Sequence, residues 1–280
     1  MLHSSSMHRL ALAATLVLLT DAAHAVPAFQ QLYRRHAKAA VASCLVCHQG
    51  GAGGKLNDYG RDFMKAGANL KAFTALDGTD SDGDGAKNAD EARAGSNPGD
   101  PASTPKKPGA WAAGIKPEDT LPLDDLADLF PQAARFEVKE YELTAADLAA
   151  VGAALDGVPL GPEDAVATLF FPVDTKATPP TRVGVALFSA ESTPDGLLLT
   201  AVGLGADGRV VKALGALYGP TGRDSLKELG KQLTGRSSES PLRIGTDLKP
   251  MKGRKKLGEA GARAFRKDLL MIAQLLAGGH

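Results

Sequence analysis

LLLTAVGLGADGRVVKALGAL, residues 197–217, sets the architecture of the C-terminal half of this chain. Two apolar segments, 197–204 and 209–217, flank Ala206-Asp207-Gly208. An Asp-Gly pair between two such segments is a strong hairpin signal, because the short turn needs positive φ angles that aspartate and glycine tolerate. The stretch therefore predicts two antiparallel strands joined by a tight turn.

Further predicted elements extend outward from this hairpin. Strands are predicted over residues 165–171 and 183–189, and helices over 124–134, 145–155, 225–233 and 259–276. Thr144 precedes the second of these helices with Asp147 three residues later, which is a capping signal. A sheet buries its apolar faces against helices, so residues 123–280 predict an α+β domain whose antiparallel sheet is covered by helices.

The segment before this domain, residues 102–122, is rich in proline, glycine and charged side chains and predicts a linker. It contains Trp111, the only tryptophan of the chain. The composition of the whole sequence is balanced, with 32 Lys plus Arg against 32 Asp plus Glu. Because positive charge is not in excess, we expect no nucleic-acid partner.

An acidic motif precedes the linker. Residues 80–91 are DSDGDGAKNADE and fit the calcium-loop pattern D-x-[DN]-x-[DN]-G-x5-E. Calcium prefers hard oxygen ligands. The expected ligands are Asp80, Asp82, Asp84, the Ala86 carbonyl, Asn88 and Glu91. Gly95 and Asn97-Pro98-Gly99 follow soon after, so residues 77–101 predict a calcium-binding segment of the thrombospondin-type-3 or dockerin kind, with a structural ion. A solvated acidic loop is the alternative.

Both cysteines of the chain lie in one pentapeptide, Cys44-Leu45-Val46-Cys47-His48. This C-x-x-C-H spacing suits two thioether bonds to one haem, with the adjacent imidazole as iron ligand, and predicts c-type haem attachment. A redox disulfide is an alternative, but no βαβ unit precedes the motif. Half of a zinc site is another, but a structural zinc ion needs four ligands and no further cysteine exists. Residues 26–76 are therefore predicted to form a haem module.

His48 is the expected proximal ligand of the iron, and two side chains compete for the opposite position. His36 lies on the apolar face of a predicted helix, so it is expected to point inward. Met64 would raise the haem potential as a thioether ligand, but it lies roughly 100° around its predicted helix from Phe63. Helical phase favours His36, with a core histidine, ligation by Met64 and an open iron position as alternatives.

The N-terminal residues predict export. Arg9 precedes an apolar run over residues 10–19, and Ala23-His24-Ala25 offers a small-residue cleavage site. Residues 1–25 are therefore predicted to be a secretory signal peptide, which gives a periplasmic or secreted location. No later apolar run approaches the roughly 18–20 residues that span a bilayer, so we expect no membrane span after cleavage.

The N-terminal motifs together resemble a family of exported bacterial monohaem cytochrome c modules. The resemblance covers residues 29–101 and is carried by CLVCH at 44–48, LNDYG at 56–60 and the calcium-type loop that ends in NPGDP at 97–101. It implies one covalently bound haem c, a bound calcium ion and electron transfer with a redox partner protein. It implies no defined substrate.

The C-terminal half resembles exported FMN-binding domains of electron-transport and nitrous-oxide-reduction accessory proteins. The similar features are LFPQA at 129–133, the hairpin quoted above and SLKELGKQLTGRS at 225–237. In that family a threonine of the next segment carries FMN through a phosphoester, whereas residues 249–258, KPMKGRKKLG, contain neither threonine nor serine. The domain is therefore expected to be a degenerate member. Lys252, Arg254, Lys255 and Lys256 form either a non-covalent phosphate site or a solvated basic loop.

The function that the sequence favours is single-electron transfer by an exported c-type cytochrome, rather than catalysis. In one alternative the protein is a haem-based sensor or adaptor with a cofactor-free C-terminal binding domain. Binding of CO or NO by the reduced form would indicate it. In the other alternative the protein is a flavohaem reductase. Release of FMN from the protein by acid would indicate this function.

Overall fold

A computed structural model of the chain describes residues 27–39, 43–50, 54–113, 122–219 and 222–278. The predicted signal peptide, residues 1–25, lies outside the described residues. Within the ranges described, no helix combines the length and the apolar character needed to cross a membrane.

Short helices dominate the N-terminal part, and strands followed by one long helix form the C-terminal part. The helices are α1 (Pro27–Ala37), α2 (Asp58–Lys65), α3 (Leu70–Leu76), α4 (Asn88–Ala94), α5 (Leu123–Leu129), α6 (Ala145–Ala154), α7 (Lys227–Gly230) and α8 (Lys255–Ala277). Short 3-10 turns cover Cys44–Val46, Pro162–Ala165 and Lys231–Leu233. The strands are β1 (Arg135–Glu142), β2 (Val166–Asp174), β3 (Thr181–Arg182), β4 (Gly184–Thr193), β5 (Gly196–Gly205), β6 (Val210–Gly219) and β7 (Gly222–Ser225).

The described strands form one antiparallel sheet in the order β1-β2-β4-β5-β6-β7, with β3 paired to the end of β2. The predicted hairpin joins β5 to β6, with Leu198 opposite Leu217 and Ala201 opposite Leu214. Gly208 has a φ of 73° in the turn, a conformation that glycine adopts without strain. The α+β fold with an antiparallel sheet, expected from the sequence, is confirmed.

Different helices cover the two faces of the sheet. On one face, Phe265 and Leu269 of α8 share a buried cluster with Leu198 and Val202 of β5. On the other face, α5 and the strands beneath it form a second cluster. Its buried members are Leu126, Leu129, Phe130, Phe170, Ala186, Phe188 and Ala201. Successive strand residues point to opposite faces, so adjacent positions such as 201 and 202 belong to different clusters.

The N-terminal helices pack on the same face as α5. Tyr33 of α1, Phe63 of α2 and Phe73 of α3 form a third buried cluster, to which the sheet contributes Val166 and Leu197. The predicted haem module and the sheet therefore share one hydrophobic core.

The predicted linker is folded where the structure describes it. Trp111 donates a hydrogen bond from Nε1 to the carbonyl of Gly95 at 2.9 Å, and its ring packs against the N-terminal cluster. Residues 102–113 thus dock on the N-terminal helices, and residues 114–121 lie outside the described part of the chain.

Two sequence-based assignments were wrong, and one strand was missed. The predicted helix 124–134 ends at Leu129, and an unpredicted strand, β1, begins at Arg135. β1 is an edge strand whose side chains are mostly exposed, and its apolar alternation is short, covering residues 135–139 before Glu140 and Tyr141 break it. The predicted helix 225–233 is divided between the end of β7, α7 and a 3-10 turn.

Candidate functional site

The C-x-x-C-H turn borders an apolar cavity. Cys44, Cys47 and His48 line this cavity, which has a volume of about 160 Å³ and is called here the motif cavity. Its other walls include Tyr33, Phe63, Met64, Leu197, Leu199 and Tyr218. Two thiols, an imidazole and a thioether therefore meet at one largely apolar space.

Backbone hydrogen bonds fold the motif into a tight turn. Ser43 caps the turn by accepting a hydrogen bond from the amide of Leu45 at 3.2 Å. The amides of Cys47 and His48 both donate to the carbonyl of Cys44, at 3.2 and 2.9 Å. The turn thereby brings the three predicted haem-attachment residues to the same cavity.

One hydrogen bond orients the imidazole of His48. Its Nδ1 lies 2.7 Å from the carbonyl oxygen of Gly54. Because a carbonyl only accepts, Nδ1 carries the proton and Nε2 presents its lone pair. Burial lowers the pKa of His48, which favours the neutral ring. A neutral imidazole whose second nitrogen donates to a carbonyl is the typical state of a metal-ligating histidine.

Burial keeps both thiols protonated, raising the pKa of Cys44 to about 11 and that of Cys47 to about 12. The thiolate is the form that ligates zinc or attacks a disulfide. Among the described residues, the one group of three or more His, Cys, Asp or Glu side chains whose ligand atoms all lie within 4.8 Å is Asp80, Asp82 and Asp84. The two cysteines and His48 are therefore not arranged as zinc ligands.

The start of α2 holds the C-x-x-C-H turn in place. Asn57 caps α2 by accepting from the amide of Gly60 at 2.9 Å, and its Nδ2 donates to the carbonyls of Leu45 and Val46 at 3.1 and 2.9 Å. A Cβ at Gly60 would lie only 2.2 Å from the carbonyl oxygen of Cys47. Asparagine therefore binds the turn, and glycine lets α2 approach it.

The two candidates for the distal position lie in different places. Met64 lines the motif cavity beside Phe63. His36 does not line this cavity. Its Nε2 lies 3.1 Å from both carboxylate oxygens of Asp77, and its ring stacks on Phe73 with centroids 5.9 Å apart. The structure thus brings Met64, and not His36, together with the cysteines and His48.

The calcium-type loop lies between α3 and α4 and gathers carboxylate oxygens. The carboxylates of Asp80, Asp82 and Asp84 lie within 4.8 Å of one another. One oxygen each of Asp82, Asp84 and Glu91 is buried and has no hydrogen-bond partner among the described residues. Leaving buried acceptors unsatisfied is costly. A divalent cation would satisfy all three, so the residues present fit calcium.

Electrostatics in this loop also favour a cation. Glu91 is fully buried, and this burial, together with the carboxylates of Asp82 and Asp84, raises its pKa to about 8. Burial likewise raises the pKa of Asp82 to about 6. Buried carboxylates at this spacing repel one another when they are ionised, and a bound cation reverses that penalty.

Asn88 and Ala86, the other two predicted calcium ligands, make local contacts. The Nδ2 atom of Asn88 donates to the Leu76 carbonyl, to Thr79 Oγ1 and to Ser81 Oγ, at 2.9, 2.8 and 3.0 Å. Its side chain therefore ties the two ends of the loop together. The amide of Ala86 donates to Asp84 at 2.6 Å, which shapes the loop at the position whose carbonyl is the expected ligand.

The segment after α4 connects the calcium-type loop to the C-x-x-C-H turn. Asn97 donates from Nδ2 to the carbonyl of Leu45 at 3.1 Å, the same carbonyl that Asn57 binds. A Cβ at Gly99 would lie 2.3 Å from Asn57 Nδ2, so this segment packs directly on the asparagine. Two motifs that are separate in sequence therefore meet at one carbonyl.

The basic segment 249–258 lies in surface ion pairs where its contacts are resolved. Arg254 pairs with Asp224 at 2.9 Å, and the ammonium of Lys255 lies 3.9 Å from Glu259. Lys252 and Lys256 are exposed. These contacts match the solvated basic loop more closely than a phosphate site.

Sequence reasoning missed part of this site. Asn57 and Gly60 belong to the LNDYG signature and Asn97 to the NPGDP signature, but the sequence did not show what these residues contact. Leu199 and Tyr218 of the sheet carried no signal at all, because a strand pattern does not reveal which neighbour covers its face.

Comparisons of the chain with protein-family models, with curated proteins and with solved structures found no match.

Proposed function

We propose that this protein is an exported electron-transfer protein that carries one haem c at Cys44, Cys47 and His48. The observation that carries the proposal is the hydrogen bond from His48 Nδ1 to Gly54, because it leaves the Nε2 lone pair for iron beside a cavity that both cysteines line.

The chain's own residues then have distinct roles. When bound, the haem supplies a one-electron Fe(III)/Fe(II) couple. The cysteines anchor it, and His48 provides the proximal nitrogen. The apolar wall of the motif cavity, which includes Phe63 and Leu197, excludes water and so favours the less charged ferrous state.

Met64 is the proposed distal ligand, because it lines the motif cavity while His36 pairs with Asp77. We expect Met64→Leu to lower the midpoint potential and to give the reduced protein an open position that binds CO. His36→Leu is the matched control and should leave the potential and the CO response unchanged. CO binding by the unaltered protein would favour a haem sensor instead, and a spectral change in His36→Leu alone would restore His36 as the ligand.

Calcium has a structural role in this proposal. The ligands would be Asp80, Asp82, Asp84, the Ala86 carbonyl and Glu91, with the side chain of Asn88 bracing the loop. Since Asn97 continues from α4 to the carbonyl of Leu45, an ordered calcium loop also supports the C-x-x-C-H turn. The ion therefore stabilises the haem site without taking part in electron transfer.

The decisive experiment is expression with the haem c maturation system, followed by absorption spectra before and after dithionite. We expect the α-band of a haem c in the reduced protein and haem that stays on the chain after denaturation in detergent. A Cys44→Ser, Cys47→Ser double variant should lose the covalent haem. The absence of covalent haem in the unaltered protein would refute the proposal.

A further inference from the structure

We propose that the C-terminal sheet is the second wall of the haem site and that Arg223 receives a carboxylate side chain of the haem. This inference rests on the proposed function and extends the cofactor site from the N-terminal helices onto the sheet. It gives the C-terminal domain a role in setting the haem potential that needs no second cofactor.

The motif cavity alone is small for a cofactor. The motif cavity, at about 160 Å³, is smaller than the ~300–1,000 Å³ typical of cofactor and ligand pockets. A second cavity of about 660 Å³, called here the sheet cavity, lies next to it. Leu199 lines both cavities, so they are neighbours on one face of the sheet. Together they offer the space that a macrocycle needs.

The lining of the sheet cavity also matches a haem in its chemical character. The floor of the sheet cavity is apolar and includes Phe188, Leu199, Ala201 and Leu214. Cationic side chains, among them Arg223 and Lys227, lie at its rim. A haem is a flat apolar ring with two carboxylates on one edge. The lining cations, Lys212, Arg223, Lys227 and Lys231, outnumber the carboxylates Asp125 and Asp128. An apolar floor with an excess of cations matches that shape and charge.

Arg223 lies at the junction of the two cavities. Arg223 on β7 is the register partner of Tyr218 on β6, and its guanidinium lies 5.8 Å from the tyrosine ring. Tyr218 lines the motif cavity, whereas Arg223 lines the sheet cavity. A guanidinium at this junction can bind a carboxylate in bidentate fashion while its other face stays on the ring.

The remaining charged groups of the sheet cavity are partly engaged with one another. Lys212 forms an ion pair with Asp128, and Lys231 pairs with Glu228 at 2.9 Å. These pairs limit how much either lysine contributes to an anion. Arg223 is favoured by position, because its guanidinium lies against the ring of Tyr218, which lines the motif cavity.

The test uses holoprotein with haem attached and measures the midpoint potential. Arg223→Gln removes a positive charge beside the haem, which stabilises Fe(III), so the potential should fall. The control is Arg209→Gln, because Arg209 is exposed, donates to the carbonyl of Gly235 and lines neither cavity. This control should leave the potential unchanged.

A second pair of variants tests the wall itself. Leu199→Asp should lower the potential and Leu199→Lys should raise it. The same substitutions at Leu217 should shift it less, because Leu217 packs into the cluster on the opposite face. Arg223 is exposed, so its variant keeps the test informative if a Leu199 variant does not fold.

The outcomes separate the two proposals. Holoprotein whose potential is the same in Arg223→Gln, in both Leu199 variants and in the controls would overturn this inference and leave the haem assignment intact. Protein without covalent haem would refute the proposed function itself. Acid-released FMN that is lost in Arg223→Gln would show that the sheet cavity is a flavin site and would also overturn the inference.

Discussion

Gly60 shows how closely α2 approaches the C-x-x-C-H turn at a position without a side chain. The residue lies in the first turn of α2, where its amide donates to Asn57 and its Cα faces the carbonyl of Cys47. Any Cβ at this position would meet backbone atoms, which cannot rotate away as a flexible side chain can. The glycine is therefore required for the close approach and not for an unusual backbone angle.

We expect Gly60→Ala to destabilise the protein by about 2 kcal/mol or more, because the added methyl group overpacks a rigid contact. It should also lower the yield of covalently bound haem. Gly78→Ala is the matched control, since a Cβ at Gly78 meets nothing within 4 Å. Chemical denaturation and the haem content per chain measure both effects. Equal behaviour of the two variants would contradict the role given to Gly60.

Asp268 is a buried acidic residue whose titration should affect stability. It lies on α8, fully buried, and accepts hydrogen bonds from Ser189 at 2.6 Å and Thr200 at 2.7 Å. Lys267 beside it pairs with Asp164 at 2.8 Å. Burial raises the pKa of Asp268 from 3.8 to about 6, and Lys267 with the two hydroxyls offsets only part of that rise.

The raised pKa makes stability depend on pH in a defined direction. Between about pH 4 and pH 6 the folded state binds more protons at Asp268 than the unfolded state, so the free energy of unfolding falls as pH rises. The loss is at most about 3 kcal/mol. Urea denaturation across this range should show the loss in the unaltered protein and a smaller pH dependence in Asp268→Asn. An equal pH dependence of the free energy of unfolding in the two proteins would contradict this role of Asp268.

At the scale of elements, α4 connects the calcium-type loop to the C-x-x-C-H turn. Its first turn supplies Glu91 to the loop, and its end leads through Gly95, with a φ of 77°, to Asn97 and the carbonyl of Leu45. A helix of seven residues is too short to be stable alone. Its order therefore depends on contacts at both ends.

Calcium should stabilise the protein through Glu91. With about 10 mM calcium and a Kd of about 10⁻⁴ M, the expected gain is about 2.7 kcal/mol. Thermal unfolding with calcium and with EGTA measures this gain, which should disappear in Glu91→Gln. Asp90→Asn is the control, because Asp90 is exposed and pairs with Arg93. A calcium effect that survives in Glu91→Gln would place the ion elsewhere.

Elements also show where sequence reasoning succeeds and fails. The β5–β6 hairpin and the Thr144–Asp147 capping box were predictable, because the turn residues and the cap carry local signals. β1 was missed because this edge strand carries many charged side chains and its apolar alternation stops at Glu140. Helical phase ranked His36 above Met64 as the distal ligand. Phase gives the face of a helix on which a residue lies, but not the neighbour that packs against that face.

At the scale of the whole molecule, the N-terminal helices and the sheet form one body. Val166 and Leu197 of the sheet belong to the N-terminal cluster. A hydrogen bond from Ser192 Oγ to the carbonyl of Gly67 at 2.7 Å adds a polar contact between them. The motif cavity lies within this shared region, so the cavity and the C-terminal sheet depend on the same packing.

We therefore expect the two parts to unfold in one cooperative transition. Val166→Ala removes buried methyl groups from the shared cluster and should cost about 2 kcal/mol, lowering the denaturation midpoints followed by haem absorbance and by far-ultraviolet circular dichroism together. Val211→Ala is the control, because Val211 is 42% exposed. Two separate transitions would contradict a shared core.

The sequence by itself determined the candidate haem and calcium ligands and the local elements that present them. The spacing of Cys44, Cys47 and His48, the alternation of Asp80, Asp82 and Asp84, and the hairpin turn are short-range patterns that the backbone geometry enforces. The tertiary structure decided what surrounds them. It placed Met64 rather than His36 at the cavity, joined the calcium-type loop to the turn through Asn97, and set the sheet against the motif. These contacts join residues far apart in the chain, and such contacts depend on how complete faces pack rather than on any local pattern.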